Sequence, residues 1–98
     1  MKTQYYILLS IKTPTGFEYF GQYDFGDDRN AAYTLFENLS GKSEPDDQTL
    51  LHIDQMETVN DLPVKVNTIC CTLEELATNT KLITREIFRQ KNFKSYED

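Results

Sequence analysis

A two-layer α+β fold of order ββαββα, a four-stranded, mostly antiparallel sheet with two helices on one face, is predicted by three features of the chain. Two pairs of segments alternate apolar and polar residues, and turn chemistry joins each pair. A capping box towards the C-terminal end opens a long run of three- and four-residue apolar spacing. A shorter amphipathic run separates the pairs, so the chain reads as two hairpin-plus-helix units of nearly equal length.

The first strand runs from Thr3 to Lys12, with Tyr5, Ile7, Leu9 and Ile11 on a core face and Tyr6, Leu8, Ser10 and Lys12 on the other. Thr13-Pro14-Thr15-Gly16 turns the chain, proline setting its own φ and glycine accepting positive φ. The return strand, Phe17 to Phe25, puts Phe17, Tyr19, Tyr23 and Phe25 on the expected core face, broken at Gly21. Glu18, Phe20, Gln22 and Asp24 take the other face. Gly26-Asp27-Asp28 offers an aspartate N-cap to a helix of about three turns, with Ala31, Ala32, Leu35, Phe36 and Leu39 as its apolar stripe and Ser40-Gly41 as its end.

Lys42 to Gln48, with Pro45 and paired Asp46-Asp47, is a polar loop. A third strand follows from Thr49 to about Glu57, in the register that turns Leu51 and Ile53 inward and Leu50, His52, Asp54 and Met56 outward. Asn60-Asp61-Leu62-Pro63 is the second turn, and Val64 to Cys71 the fourth strand, with Val64, Val66, Thr68 and Cys70 expected on the core face. Thr72-Leu73-Glu74-Glu75 is the capping box: the threonine oxygen accepts from the Glu75 amide while the glutamate reaches back. The helix behind it, to Phe93, carries Leu73, Leu76, Ala77, Thr80, Ile83, Thr84 and Ile87 as its expected buried stripe.

At 98 residues the chain makes one domain, which by surface scaling buries only about 60 to 65% of its unfolded surface. No apolar run approaches the roughly 18 residues of a membrane span, and the N-terminal residues do not read as a signal peptide, so the expectation is a cytoplasmic protein. Cys70 and Cys71 are adjacent on a strand, point to opposite faces and are expected to be free thiols. Residues 1 to 80 hold five Lys or Arg against thirteen Asp or Glu, whereas residues 81 to 98 hold five against three. The last helix is thus the basic element of a chain whose net charge of −6 repels nucleic acid.

The combination of Thr13-Pro14-Thr15-Gly16, Phe25-Gly26-Asp27-Asp28, Cys71-Thr72-Leu73-Glu74-Glu75-Leu76 and Ile83-Thr84-Arg85-Glu86-Ile87-Phe88 resembles a group of small uncharacterised bacterial proteins over nearly the whole chain. The resemblance implies a single-domain bacterial protein and brings no activity with it.

Chemistry-bearing motifs are sparse. Asp24-Phe25-Gly26 spells the metal-binding triplet of protein kinases, but the phosphate-covering glycine loop and catalytic loop of those enzymes are missing. Helix capping accounts for Asp27 and Asp28 without a cation, and no cofactor or metal is expected. His52 and Asp54, two apart on a strand, are the one candidate acid-base pair, and Cys70 or Cys71 the candidate nucleophile, opposed by the charge of Glu74 and Glu75. Lys81, Arg85 and Arg89 fall at four-residue spacing, with Lys91 and Lys94 continuing beside Phe93 and Tyr96, and form a candidate stripe for an anionic ligand. The helix macrodipole also favours cations at that end.

With both helices on one face, the opposite face lacks cover, and the register puts Tyr6, Leu8, Phe20 and Ile69 there among Ser10, Gln22 and Asn67. Clustered exposed hydrophobes mark association surfaces. The leading expectation is therefore a small protein-interaction module, self-associating or binding another protein through that face. A nucleic-acid or anionic-ligand binder is the second reading, and an enzyme using His52, Asp54 or a cysteine the third.

Overall fold

The computed structural model of the protein describes residues 3–92. Phe93, Lys94 and Tyr96 lie outside the described residues. The elements are β1 (Tyr5–Thr13), β2 (Gly16–Asp24), α1 (Arg29–Glu37), β3 (Leu51–Val59), β4 (Leu62–Cys71) and α2 (Leu73–Asn92). All strand pairings are antiparallel, in the order β2-β1-β3-β4, which is the predicted α+β class.

Local chemistry places the element ends. Asp28 caps α1 by accepting the Ala31 N–H at 3.0 Å. The capping box forms in both directions: the Thr72 N–H donates to Glu75 Oε1 at 2.9 Å, and the Glu75 N–H to Thr72 Oγ1 at 3.2 Å. Between Val59 and Leu62 the chain turns on two residues, Asn60 at φ 53° and Asp61 at φ 66°. Those left-handed angles are what a two-residue hairpin needs, and Asn and Asp tolerate them. The α1 C-cap falls at Asn38 rather than at Ser40-Gly41, because Asn38 satisfies the helix end through Leu35 and Phe36 and through its own amide to Thr34 O at 2.8 Å.

The core lies between the helices and one sheet face: Tyr5, Ile7 and Leu9 from β1, Leu51 and Ile53 from β3, Phe25, then Ala32, Leu35 and Phe36 from α1 and Ile83 from α2. Both helices thus cover one face, and the inward register of Leu51 and Ile53 is as expected.

Two bulges overturn the expected faces of the edge strands. Leu9 pairs with Gly21 but Ser10 with Tyr19, which leaves Phe20 as an extra residue in β2. Gln55 pairs with Asn67 but Met56 with Lys65, which leaves Val66 extra in β4. One extra residue shifts the alternation by one, so the two parts of the strand exchange faces. Tyr23 and Phe25 stay on the core side, whereas Phe17 and Tyr19, expected in the core, sit on the helix-free face opposite Lys12 and Ser10. In β4 the core residues are Ile69 and Cys71, which pair with the buried Ile53 and Leu51, and not Thr68 and Cys70. Ile69 therefore belongs under the helices and leaves the expected association face. Ile11 is exposed as well.

The buried stripe of α2 is rotated from the expected one. Asn79 and Ile83 are fully buried and Leu76, Leu82 and Ile87 pack beside them, while Leu73, Ala77 and Thr84 face solvent. Asn79 explains the rotation. Its Nδ2 donates to the Ser40 carbonyl and its Oδ1 accepts the Ser40 N–H, both at 2.8 Å, so the amide clamps the chain that leaves α1. Next to that clamp Gly41 passes so close to β4 that an added Cβ would overlap Ile69 Cγ2 and lie 2.9 Å from the Cys70 carbonyl oxygen. Lys42 then pairs with Cys70 through two backbone hydrogen bonds of 2.9 and 2.7 Å, closing one end of the β4 edge.

Candidate interaction face

Residues directly opposite in an antiparallel pair share a face, so the pairings map the helix-free side. Asp24, Tyr6, Met56 and Lys65 form one row across the four strands. Gln22, Leu8, Asp54 and Thr68 form the next, and Tyr19, Ser10, His52 and Cys70 the third. Among the described residues no helix covers these rows, yet Ser10 is only 4% exposed and Asp54 only 3%.

Aromatic side chains from the edge strand supply the cover. The Phe17 ring stacks on His52 at 3.9 Å between centroids and 17° between planes. The Tyr19 hydroxyl reaches Asp54 Oδ2 at 3.4 Å. Phe17 and Tyr19 belong to β2 while His52 and Asp54 belong to β3, so both rings cross β1, and they do so where Ser10 is too small to hold them up. Their outer sides stay wet: Phe17 is 43% exposed, Tyr19 61%, and Phe20, at the bulge, 52%. With half-buried Tyr6 and Leu8 alongside, they make a contiguous aromatic and apolar surface over β2 and β1.

Asp54 holds together the polar part of the face. The Thr68 hydroxyl donates to Oδ1 at 2.8 Å, and the Lys65 ammonium lies 3.6 Å from Oδ2. A nearly buried carboxylate needs such partners, since unpaired it carries a large desolvation cost. His52, two residues back, is held below its ordinary pKa by burial, against which the Asp54 charge acts, with Lys65 adding to the lowering. Its Nε2 is shielded from solvent and has no hydrogen-bond partner.

His52, Asp54 and Cys70, the expected candidates for acid-base and nucleophilic work, are thus brought together on one face. Among the described residues no hydrogen bond joins any two of them. Burial pushes the Cys70 thiol up, and Asp46 and Asp54 push it the same way. Cys71 lies on the opposite face, where burial and then Glu75 push it up to about 11, opposed by the Asn79 amide. A thiol held above its ordinary pKa is a weak nucleophile at neutral pH. Both cysteines are buried free thiols.

Lys81, Arg85 and Arg89 are all exposed on α2, with acidic residues among them. Arg89 is held by Glu86 through bonds of 3.2 and 2.6 Å. Arg85 and Arg89 border an open groove of about 730 Å³ between α1 and α2, floored by Leu35 and Leu82, in which Asp28 and Glu86 stand among the cations. Lys81 borders a second depression, with Thr80, Thr84 and Phe88, which Arg85 also lines. Among the described residues no group of three His, Cys, Asp or Glu side chains is placed to hold a metal ion, and no helix is long and apolar enough to cross a membrane.

Sequence reasoning placed Tyr6, Leu8, Ser10 and Phe20 near this surface but missed Phe17, Tyr19 and Lys65. The break in alternation at Gly21 was the available signal, because a glycine interrupting a strand often marks a bulge.

No family model, curated protein or solved structure matches this chain. Its function must be read from the face itself.

Proposed function

We propose that the protein is a small interaction module whose helix-free sheet face binds a second copy of the chain. The observation that carries the reading is the cluster of Phe17, Tyr19 and Phe20 on β2, all about half exposed, next to Tyr6 and Leu8 on β1. Scattered exposed hydrophobes are ordinary, but a contiguous aromatic group on a flat face is the composition of an interface core. A second copy is the simplest cover, because the face carries its own charge complement, Asp24 at the β2 edge and Lys65 at the β4 edge. Phe20 lies on an edge strand, so it anchors the margin of the contact rather than its centre.

Light scattering across a concentration series tests the reading, on the natural chain and on Phe20→Glu, whose exposed side chain can change without disturbing the core. The expected result is a dimer in the natural chain that Phe20→Glu loses while keeping its circular dichroism. A natural chain that stays monomeric at 500 μM, a concentration well above the roughly micromolar to hundred-micromolar range of weak interfaces, refutes it.

A further inference from the structure

The first row of the helix-free face runs from an acid at one corner to a base at the other: Asp24 on edge strand β2, Tyr6, Met56, then Lys65 on edge strand β4. Asp24 is exposed, with Oδ1 accepting from Gln22 Nε2 at 2.9 Å, and the Lys65 side chain is 53% exposed although its ammonium lies near Asp54. Two copies can meet through this face by two simple two-fold operations. An axis lying across the strands reverses the rows, which sets Asp24 over the Phe17 end of the partner and leaves both corner charges against aromatic or apolar groups, at a desolvation cost. An axis lying along the strands keeps every row level and exchanges the edges, so that β2 of each copy covers β4 of the other.

We infer that the two copies pack with the two-fold axis along the strands, setting Asp24 of each against the partner's Lys65; this geometry rests on the self-association proposed above. The same operation lays half-buried Tyr6 over the partner's Met56, whose own side chain is only 7% exposed. With strands about 4.8 Å apart, the mapped face measures on the order of 400 Å² per copy, roughly half the area per partner of a standard interface. Two ion pairs at the rim of so small a contact set its register and decide which pairs of copies fit.

A charge exchange tests the geometry. Dimerisation is measured by sedimentation equilibrium for the natural chain, for Asp24→Lys, for Lys65→Glu, and for an equimolar mixture of the two variants. In the inferred geometry each variant alone opposes like charges twice, and the mixture restores opposite charges at both corners. Each variant is expected to raise its own Kd at least about tenfold, and the mixture to return within about threefold of the natural value. Because Lys65→Glu sets a new acid beside Asp54, circular dichroism accompanies it. Should that variant fail to fold, Asp24→Cys mixed with Lys65→Cys replaces it; because face-to-face sheets stand about 10 Å apart, too far for a disulfide, a bis-maleimide of that span is added, and a thioether cross-link joining one variant to the other is the expected product. If the natural dimer forms and Phe20→Glu abolishes it, but the mixture binds no better than either variant alone and no such cross-link forms, the axis is wrong while the face remains right. A natural chain that does not dimerise overturns the geometry together with the reading beneath it.

Discussion

Replacing Asn79 with aspartate should destabilise the protein steeply at neutral pH and much less in acid. The side chain is 0% exposed, and its two hydrogen bonds to Ser40, each 2.8 Å, use one acceptor and one donor. Asn79→Asp keeps the size and the acceptor but sets an oxygen against the Ser40 carbonyl. Losing that bond and leaving a buried acceptor unmatched costs about 1–3 kcal/mol. Ionising the new carboxyl in this site costs a further ~1.4 kcal/mol for each unit by which burial raises its pKa. Together these come to about 3–5 kcal/mol at pH 8, a large part of the roughly 5–10 kcal/mol that holds a domain of this size together. The neutral acid can donate to Ser40 as the amide does. A carboxyl whose folded pKa lies above its unfolded value of about 3.9 destabilises increasingly as pH rises between those two values, so acidification relieves it. Asn79→Ala removes both bonds without adding charge and should cost about 2–3 kcal/mol at any pH. Urea unfolding at pH 8 and pH 5.5, both above the pI of about 4.7, separates the two variants. An Asn79→Asp protein within about 0.5 kcal/mol of the natural one at pH 8, or with a deficit that does not narrow at pH 5.5, would show that Asn79 does not clamp Ser40.

Two further outcomes follow from the same packing. Gly41→Ala places a Cβ against Ile69 and the Cys70 carbonyl where the paired Lys42 backbone cannot retreat, so thermal melting should fall by several degrees for a cost of about 1–3 kcal/mol, and an unchanged Tm would refute the close approach. His52 is kept neutral by burial beneath Phe17, so its folded pKa lies below the unfolded value of about 6.5. The unfolded chain then takes up a proton that the folded chain refuses, and stability present above pH 6.5 is lost as pH falls below it. His52→Phe should flatten that part of the pH profile, and equal slopes in the two proteins would count against a neutral, buried imidazole.

What the sequence by itself determined is what depends on neighbours a few residues away. The Asp28 cap, the reciprocal Thr72 and Glu75 bonds, the Asn60-Asp61 turn and the alternation of Tyr5, Ile7 and Leu9 each satisfy backbone or burial needs within one turn or one strand, and with them came the α+β class and the element order. Tertiary structure decided the rest, because a bulge changes faces by an amount that only the partner strand reveals. Phe20 and Val66 are extra residues relative to β1 and β3 alone, and they carry Phe17 and Tyr19 out to the open face and Ile69 in beneath the helices. Asn79 reads as a polar interruption of a helix stripe until Ser40, 39 positions away, supplies the donor and acceptor that justify burying it. The candidate face was legible as to which side of the sheet it occupies but not as to all its members, since the rings that cover His52 and Asp54 come from a strand two places away, and no local pattern records which side chain is short enough to let them cross.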